Sequence, residues 1–377
     1  MRVFLVAGEA SGDALGAALI DGLTALAPET RFMGVGGAAM EARGLQSLFP
    51  MTDLSVMGLA EILPRYLHLR RRLTQTVEAA SAARPDVLIT IDSPDFGLRV
   101  AKRVRARHPV RTVHYVAPSV WAWRPGRAQA MAPFIDQVLA LLPFEPPYME
   151  AAGIRCDFVG HPIATEPRAD PAAVAAFRQA RADGGARIVT VLPGSRGSEV
   201  ARLAPVFGAA LARLGTGGRR LRVIVPAAPG VAAAVRAQVA GWPGAEVIDG
   251  GDDALKRVAF AASDAALAAS GTVSLQLAAA GTPMVIAYDM NPLSRAIVSR
   301  LLRVGTVTLV NLVTGRCDVP ECLGRDCTPE RIAAELSAVL DDPAAQSAAL
   351  RETMRALGQG GEDPGLRAAR AVLDGLR

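Results

Sequence analysis

Short apolar, β-branched runs alternate along this chain with longer stretches in which apolar residues recur every three or four positions. That alternation predicts an α/β chain built on parallel sheets. In the first half, strands are expected at residues 3–7 (VFLVA), 32–35, 87–91 (VLITI), 112–116 (TVHYV) and 138–142. An amphipathic helix follows the turn GEASGD and runs to about Leu26. Residues 158–162 close this half, and the polar, proline-containing stretch 163–171 reads as a linker. The second half repeats the plan. A helix near 172–181 leads into a strand from Ile188, with further strands at 221–225, 246–248, 265–267 and in PMVIAY, 283–288. A last helix, near 364–376, either packs back on the first domain or exchanges with a partner copy, so a homodimer is an open expectation. The domains are drawn at 1–165 and 166–360, with 361–377 as the terminal helix.

Residues 188–199, IVTVLPGSRGSE, are the stretch around which the rest is organised. A strand runs into a Gly-rich turn and a helix start, where free N–H groups and the helix dipole favour an anion. Arg196 could grip a phosphate bidentately from that turn. An ordinary βα turn with a solvated arginine is the plainer reading. Ser270, Gly271 and Thr272 repeat the theme with N-cap chemistry before a second helix, and Gln276 lies one helical turn further on.

Asp92 and Asp95 follow the apolar strand VLITI directly. Ligands of open α/β sheets bind beyond the carboxyl ends of strands, so a carboxylate there is placed for base chemistry. Asp95 reads as the cap of a helix starting near Phe96, which leaves Asp92 free. Trp121 and Trp123 lie in a loop beyond another strand and form either an apolar ligand wall or a packed lid.

Residues 54–73 carry more apolar surface than one helix stripe needs, with arginines clustered at the end and Pro64 expected to kink or break the helix. Two readings stand. One is an interfacial helix whose arginines meet lipid phosphates. The other is a core helix whose arginines complement the dipole.

Composition narrows these options. A chain of 377 residues is long enough for two domains. Its net charge of +5 suits an anionic small molecule or an anionic membrane surface. No nucleic-acid motif is present, and the few aromatics are not interleaved with basic runs, so nucleic acid is not an expected partner. The N-terminus reads as a strand and turn, not a signal peptide. Four cysteines in this length argue for a reducing compartment, and Cys317, Cys322 and Cys327 lack zinc-site spacing.

Two such domains, with a phosphate turn and a later SGT-type helix start, resemble the GT-B glycosyltransferases, in which two Rossmann-like domains face each other across a cleft. The resemblance goes further. VAGEASGD (6–13), IDSPDF (91–96), HYVAPSVWAWR (114–124), LPFE (142–145), VGHP (159–162), LPGSRGSEV (192–200) and NLVTGR (311–316) are similar to the motifs of the lipid-A-disaccharide synthase family, in that family's order. That resemblance implies an inverting transfer of 2,3-diacylglucosamine from UDP-2,3-diacylglucosamine to 2,3-diacylglucosamine 1-phosphate. The products are the β(1→6) lipid A disaccharide 1-phosphate and UDP. It implies no metal and no cofactor. Inversion in one displacement needs a base, and Asp92 is the residue expected to serve. The departing diphosphate needs positive charge, expected from Arg196, the backbone of Gly194, Ser195 and Gly197, and the helix start at Ser270–Thr272.

Glu9, Ser11, Gly12 and Asp13 are expected to line the cleft from the first domain, and Asn311 and Arg316 to reach the donor from the second. His114 and Glu145 are held as weaker candidates. Gln276 stands where GT-B enzymes usually carry an acid for the ribose, and it accepts a hydrogen bond more weakly than a carboxylate. Acylated substrates live in a membrane, so the resemblance favours membrane insertion by Val56, Met57, Leu59, Ile62 and Leu63, with Arg70, Arg71 and Arg72 on anionic lipid. The implied location is the cytoplasmic face of the inner membrane. A UDP-N-acetylglucosamine 2-epimerase is the alternative within the fold, and a non-catalytic nucleotide- or lipid-binding protein the alternative outside it. A Rossmann dehydrogenase does not fit, because GEASGD lacks the G-x-G-x-x-G spacing.

Overall fold

The computed structural model describes residues 1–54, 59–124, 126–182, 185–269, 273–291, 295 and 304–376, with the side chains of 59–65 left aside. The chain divides into two compact units, Met1–Thr165 with Leu357–Arg377, and Glu166–Ala356.

In the first unit the strands are β1 (Arg2–Ala7), β2 (Arg31–Val35), β3 (Gln46–Ser47), β4 (Val87–Ile91), β5 (Arg111–Tyr115), β6 (Gln137–Ala140) and β7 (Arg155–Phe158). They form one parallel sheet in the order β3-β2-β1-β4-β5-β6-β7. The main helices are α1 (Ala10–Leu26), α2 (Ala38–Glu41), α3 (Leu59–Ala83) and α4 (Pro94–Arg105). Every residue of β4 is buried, as a strand covered on both faces must be. Alternate residues of β1 feed two cores. Phe4 and Val6 pack with Leu73, Val77 and Ala80 of α3 and Val100 and Val104 of α4. Val3 and Leu5 face the other way, toward Leu19, Ile20 and Leu23 of α1.

That second core is completed from the far end of the chain. The C-terminal helix Pro364–Asp374 supplies Ala368, Ala369 and Val372. It approaches α1 through paired glycines. A Cβ on Gly22 would stand 2.5 Å from the Gly365 carbonyl oxygen, and one on Gly365 would stand 2.5 Å from that of Ala18.

The helix α3 continues through Pro64, against the expected break. Pro64 is its sixth residue and removes the N–H that would bond to Ala60, and the helix is held beyond it by Leu73, Val77 and Ala80 in the core. Val56 and Met57 lie outside the described residues, whereas Leu59, Ile62 and Leu63 fall on the α3 backbone.

The second unit contains β8 (Arg187–Leu192), β9 (Leu221–Ala227), β10 (Ala245–Asp249), β11 (Ala265–Ala268), β12 (Met284–Tyr288) and β13 (Glu321–Leu323). They form a second parallel sheet, ordered β10-β9-β8-β11-β12-β13. The helix Gly197–Thr216 follows β8 and buries Val200, Leu203, Phe207 and Leu211 against one face. Phe177, Ile188, Ile224 and Ile248 pack on the other. The two units together are the GT-B fold: two parallel-sheet α/β units in one chain.

The glycine contact yields a prediction. Gly22→Val should lower the thermal unfolding midpoint, by an amount equivalent to about 3 kcal/mol of overpacking, because backbone lies in the way and cannot yield. Gly126→Ala should change it little, since nothing lies within 4 Å of a Cβ there. Thermal denaturation of the two variants checks both.

Candidate active site

In the first unit the ends of β1 and β4 lie side by side, with Ala7 opposite Ile91. The strand order reverses between them, and ligands of open α/β sheets bind at such a reversal. Gly8 and Gly12 let α1 descend onto the end of β4. A Cβ on Gly8 would meet Ser93 Oγ at 2.7 Å, and one on Gly12 would meet the Ile91 carbonyl oxygen at 3.3 Å. After β4, Asp92 and Ser93 adopt φ of 51° and 38°. Consecutive left-handed non-glycine residues cost about 1–3 kcal/mol each and persist only where surroundings enforce them. The turn sets Asp92 Oδ2 at 3.1 Å from Ser11 Oγ, which donates to it. Ser93 Oγ donates to Glu9 Oε1 at 3.4 Å. Asp92 is half-buried, and its Oδ1 has no hydrogen-bond partner among the described residues. One oxygen is thus held by a hydroxyl while the other stays open to take a proton.

Glu9, Ser11, Gly12 and Asp92 therefore come together, whereas Asp13 does not join them. It is buried and accepts from the backbone N–H groups of Gly37 (2.9 Å), Ala39 (2.9 Å) and Met40 (3.1 Å), so it caps α2 instead of lining a ligand site. Asp95 is likewise not the cap of α4. Ser93 occupies that position, and Asp95 sits in the first turn with its carboxylate on Arg127 at 3.1 Å.

The second unit repeats the reversal between β8 and β11. The turn from Pro193 leads into the helix Gly197–Thr216, here α5 of the site elements, with Arg196 at its N-cap. The Arg196 side chain is two-thirds exposed, and its Nη1 donates to Glu199 Oε1 at 3.1 Å. The other oxygen of Glu199 accepts the Ser195 N–H at 3.1 Å. Beyond β11, the helix Val273–Ala280 carries Gln276, half-buried. Ser270, Gly271 and Thr272 lie outside the described residues.

Asn311 and Arg316 are engaged elsewhere in this unit. Asn311 is buried, donates to Thr306 Oγ1 and the Val319 carbonyl, and accepts the Val319 N–H. Its amide fastens a loop and leaves no open group for the donor. The Arg316 guanidinium is held by Asp318 at 2.9 Å and by Glu352 at 2.6 Å. Arg72, expected on lipid, is instead paired with Asp53 at 2.6 Å and stacked on the Phe49 ring.

The first unit thus carries a carboxylate at its reversal and the second a glycine-rich turn at its own. The family described as lipid-A-disaccharide synthetase matches residues 3–363. The chain belongs to that family. Among relatives, it is 61% identical to the lipid-A-disaccharide synthase of Ruegeria pomeroyi, over 100% of this chain and 96% of the relative. It is 50% identical to that of Rhodospirillum centenum, over 99% and 94%. Solved structures share the fold at low identity. A putative UDP-N-acetylglucosamine 2-epimerase from Listeria monocytogenes superposes with a TM-score of 0.64 at 14% identity, covering 98% of this chain and 94% of that one. The glycosyltransferase of kitacinnamycin gives 0.63 at 17%, covering 100% and 99%.

Within this synthetase-family chain, Glu199 and Ser93 were given no role by the sequence reading. A Glu three residues into a helix is a capping signature and was the available signal for the first. His114 is fully buried with Nδ1 at 2.8 Å from Thr90 Oγ1, and burial lowers its pKa to about 4, so it is a neutral core residue. Trp121 packs edge-on against Phe144 and donates to Glu145 Oε1 at 3.3 Å. Glu145 also accepts the Leu142 N–H at 3.0 Å, and burial pushes its carboxyl up to about 7.

Glu145 makes stability pH-dependent in a defined direction. An unfolded glutamate titrates near about 4.3. Between that value and about 7 the folded chain keeps a proton that the unfolded chain has lost. The contribution is therefore complete below the lower value and is lost as pH rises through the upper one. Urea unfolding at pH 5 and pH 8 should reveal a decline of up to about 3 kcal/mol from this group, and Glu145→Gln should remove it. A variant that keeps the full decline contradicts the assignment.

Proposed function

We propose that this chain is a lipid-A-disaccharide synthase, an inverting glycosyltransferase that joins UDP-2,3-diacylglucosamine to 2,3-diacylglucosamine 1-phosphate. Family membership along the whole chain carries the reading, and the open carboxylate at the end of β4 supplies its chemistry. The first unit serves as the acceptor side and the second as the UDP-sugar side. Asp92 Oδ1 takes the proton from the acceptor 6-hydroxyl while Ser11 holds Oδ2. The hydroxyl oxygen bonds to the donor's anomeric carbon from the face opposite the phosphate. The bond from that carbon to the phosphate oxygen breaks, and its electron pair leaves with UDP. An α-linked donor thereby gives a β-linked product. Arg196 and the N–H groups of the Gly194–Gly197 turn meet the charge growing on the diphosphate. Glu9, tied to Ser93, adds an acceptor for a sugar hydroxyl. Gln276 reaches the donor through its amide oxygen.

Asp92→Asn should keep UDP binding and lower turnover by roughly 10²–10⁴-fold, the range of a lost general base. Disaccharide formation, followed in detergent with both acylated substrates, checks this. Unchanged turnover removes Asp92 from the base role. Epimerisation of a UDP-sugar with no acceptor present would favour the epimerase instead.

No helix among the described residues is long and apolar enough to cross a membrane. We further propose that the start of α3 and the segment before it dock on an anionic lipid surface. Tyr66 and Leu67 are exposed, at 54% and 66%, beside the exposed Arg70 and Arg71. Apolar side chains entering the interface beside arginines on phosphates are the pattern of a peripheral helix. Replacing Val56, Met57, Leu59 and Ile62 with Ser should release the folded protein from anionic vesicles. Replacing Arg70 and Arg71 with Gln should weaken binding by about 1 kcal/mol each. Co-sedimentation with vesicles checks both, and unchanged binding by the folded variants sinks the docking proposal.

A further inference from the structure

Glu199 sits where the proposed function puts the donor's diphosphate. Its carboxylate takes the Ser195 N–H with one oxygen and the Arg196 guanidinium with the other, both at 3.1 Å. In an ordinary capping box the acidic side chain reaches back to the N-cap N–H. Here it reaches one residue further, past Arg196 to Ser195, and so holds an N–H of the turn itself.

The turn is shaped around this side chain. Gly194 has a φ of +124°, and a Cβ on it would stand 2.6 Å from Glu199 Cβ and 2.7 Å from Oε2. Only glycine allows both the backbone and the neighbour. The Glu199 side chain is 14% exposed, so it is tucked into the turn and is not waving in solvent.

A third group holds the carboxylate in this position. Tyr288 OH, at the end of β12, donates to Glu199 Oε1 at 3.5 Å. Burial and the Glu199 charge push the Tyr288 phenol up, which keeps it a donor. Arg202 lies one helical turn beyond Glu199, and its Nη1 donates to the Asp289 carbonyl at 3.4 Å.

We propose that Glu199 is a built-in stand-in for the diphosphate, which an incoming donor must displace and which repels UDP once it has formed. The inference rests on the 193–197 turn being the diphosphate seat. The Ser195 N–H can serve only one anion, and Glu199 also takes one of the Arg196 guanidinium's donors, so carboxylate and diphosphate compete for the turn. The carboxylate therefore satisfies these groups while the seat is empty, and it sets the affinity for donor and UDP alike below what the turn alone would give. Glu199 acts as a positioning residue: it tunes the groups that touch the diphosphate.

Calorimetric titration of the full chain with UDP, inorganic pyrophosphate and uridine tests this. Glu199→Gln keeps an oxygen for the Ser195 N–H but loses the charge. It should bind UDP and pyrophosphate about tenfold more tightly, since a charge-assisted contact no longer has to be displaced. Uridine binding should not change, and product inhibition by UDP should strengthen in parallel. Glu199→Ala, checked for folding by circular dichroism, should tighten the same two ligands. Unchanged or weaker UDP and pyrophosphate binding in folded Glu199→Gln overturns the proposal, as does failure of the wild-type chain to bind either anion. Tightening as expected in a chain that forms no disaccharide would leave this inference standing and remove the synthase reading.

Discussion

Parallel pairing of β1 with β4 and of β8 with β11 is the constraint on which this protein depends. Parallel neighbours cannot be joined by a tight turn, so the chain must leave each pair through helices. At these two pairs the strand order reverses. The strand ends are left uncovered by a crossing connection, and the next residues of the chain are free to carry polar groups. The buried strands do the anchoring: β4 is buried throughout, and β8 is buried along Ile188–Val191. Asp92 follows β4 directly and the turn 193–197 follows β8, on backbone that a stiff support holds in position.

That support also maintains strain. Asp92, Ser93 and Val116 all have positive φ, and Val116 is β-branched, for which this region is a true outlier. They close the strands β4 and β5, which are themselves paired. The Asp92 N–H still donates to the Tyr115 carbonyl, and the Val116 N–H to that of Leu139. The ladder is therefore extended one residue past each strand, and the left-handed residues are where the chain turns out of it. A flexible loop would relax to ordinary angles and carry the Asp92 carboxylate away from Ser11.

The strands were legible because burial on both faces writes itself as unbroken apolar runs, as in VLITI and VFLVA. The family was legible because its motifs fall at those strand ends. Individual side-chain duties were harder to read. Asp13 serves backbone groups some 24 to 27 residues away, and Asn311 binds Val319 across a turn. No periodicity marks such long reaches, so both looked available for a ligand. Arg72 read as one of three equivalent arginines until Asp53, brought alongside by the short helix at Met51–Asp53, claimed it. Pro64 does not break its helix, because core packing of the later turns overrides the local preference.

The glycine-paired contact between α1 and the C-terminal helix has a consequence for how the protein is made. The apolar face of α1, with Leu19, Ile20 and Leu23, is finished by Ala368, Ala369 and Val372, which are made after the whole second unit. Residues 166–356 must be translated in between. At cellular elongation rates that interval is on the order of ten to forty seconds. The second unit is contiguous and can complete itself as it emerges. The first cannot close until Ala368, Ala369 and Val372 have emerged, so for that time the nascent chain presents an unsealed hydrophobic face of the kind that ribosome-associated chaperones hold.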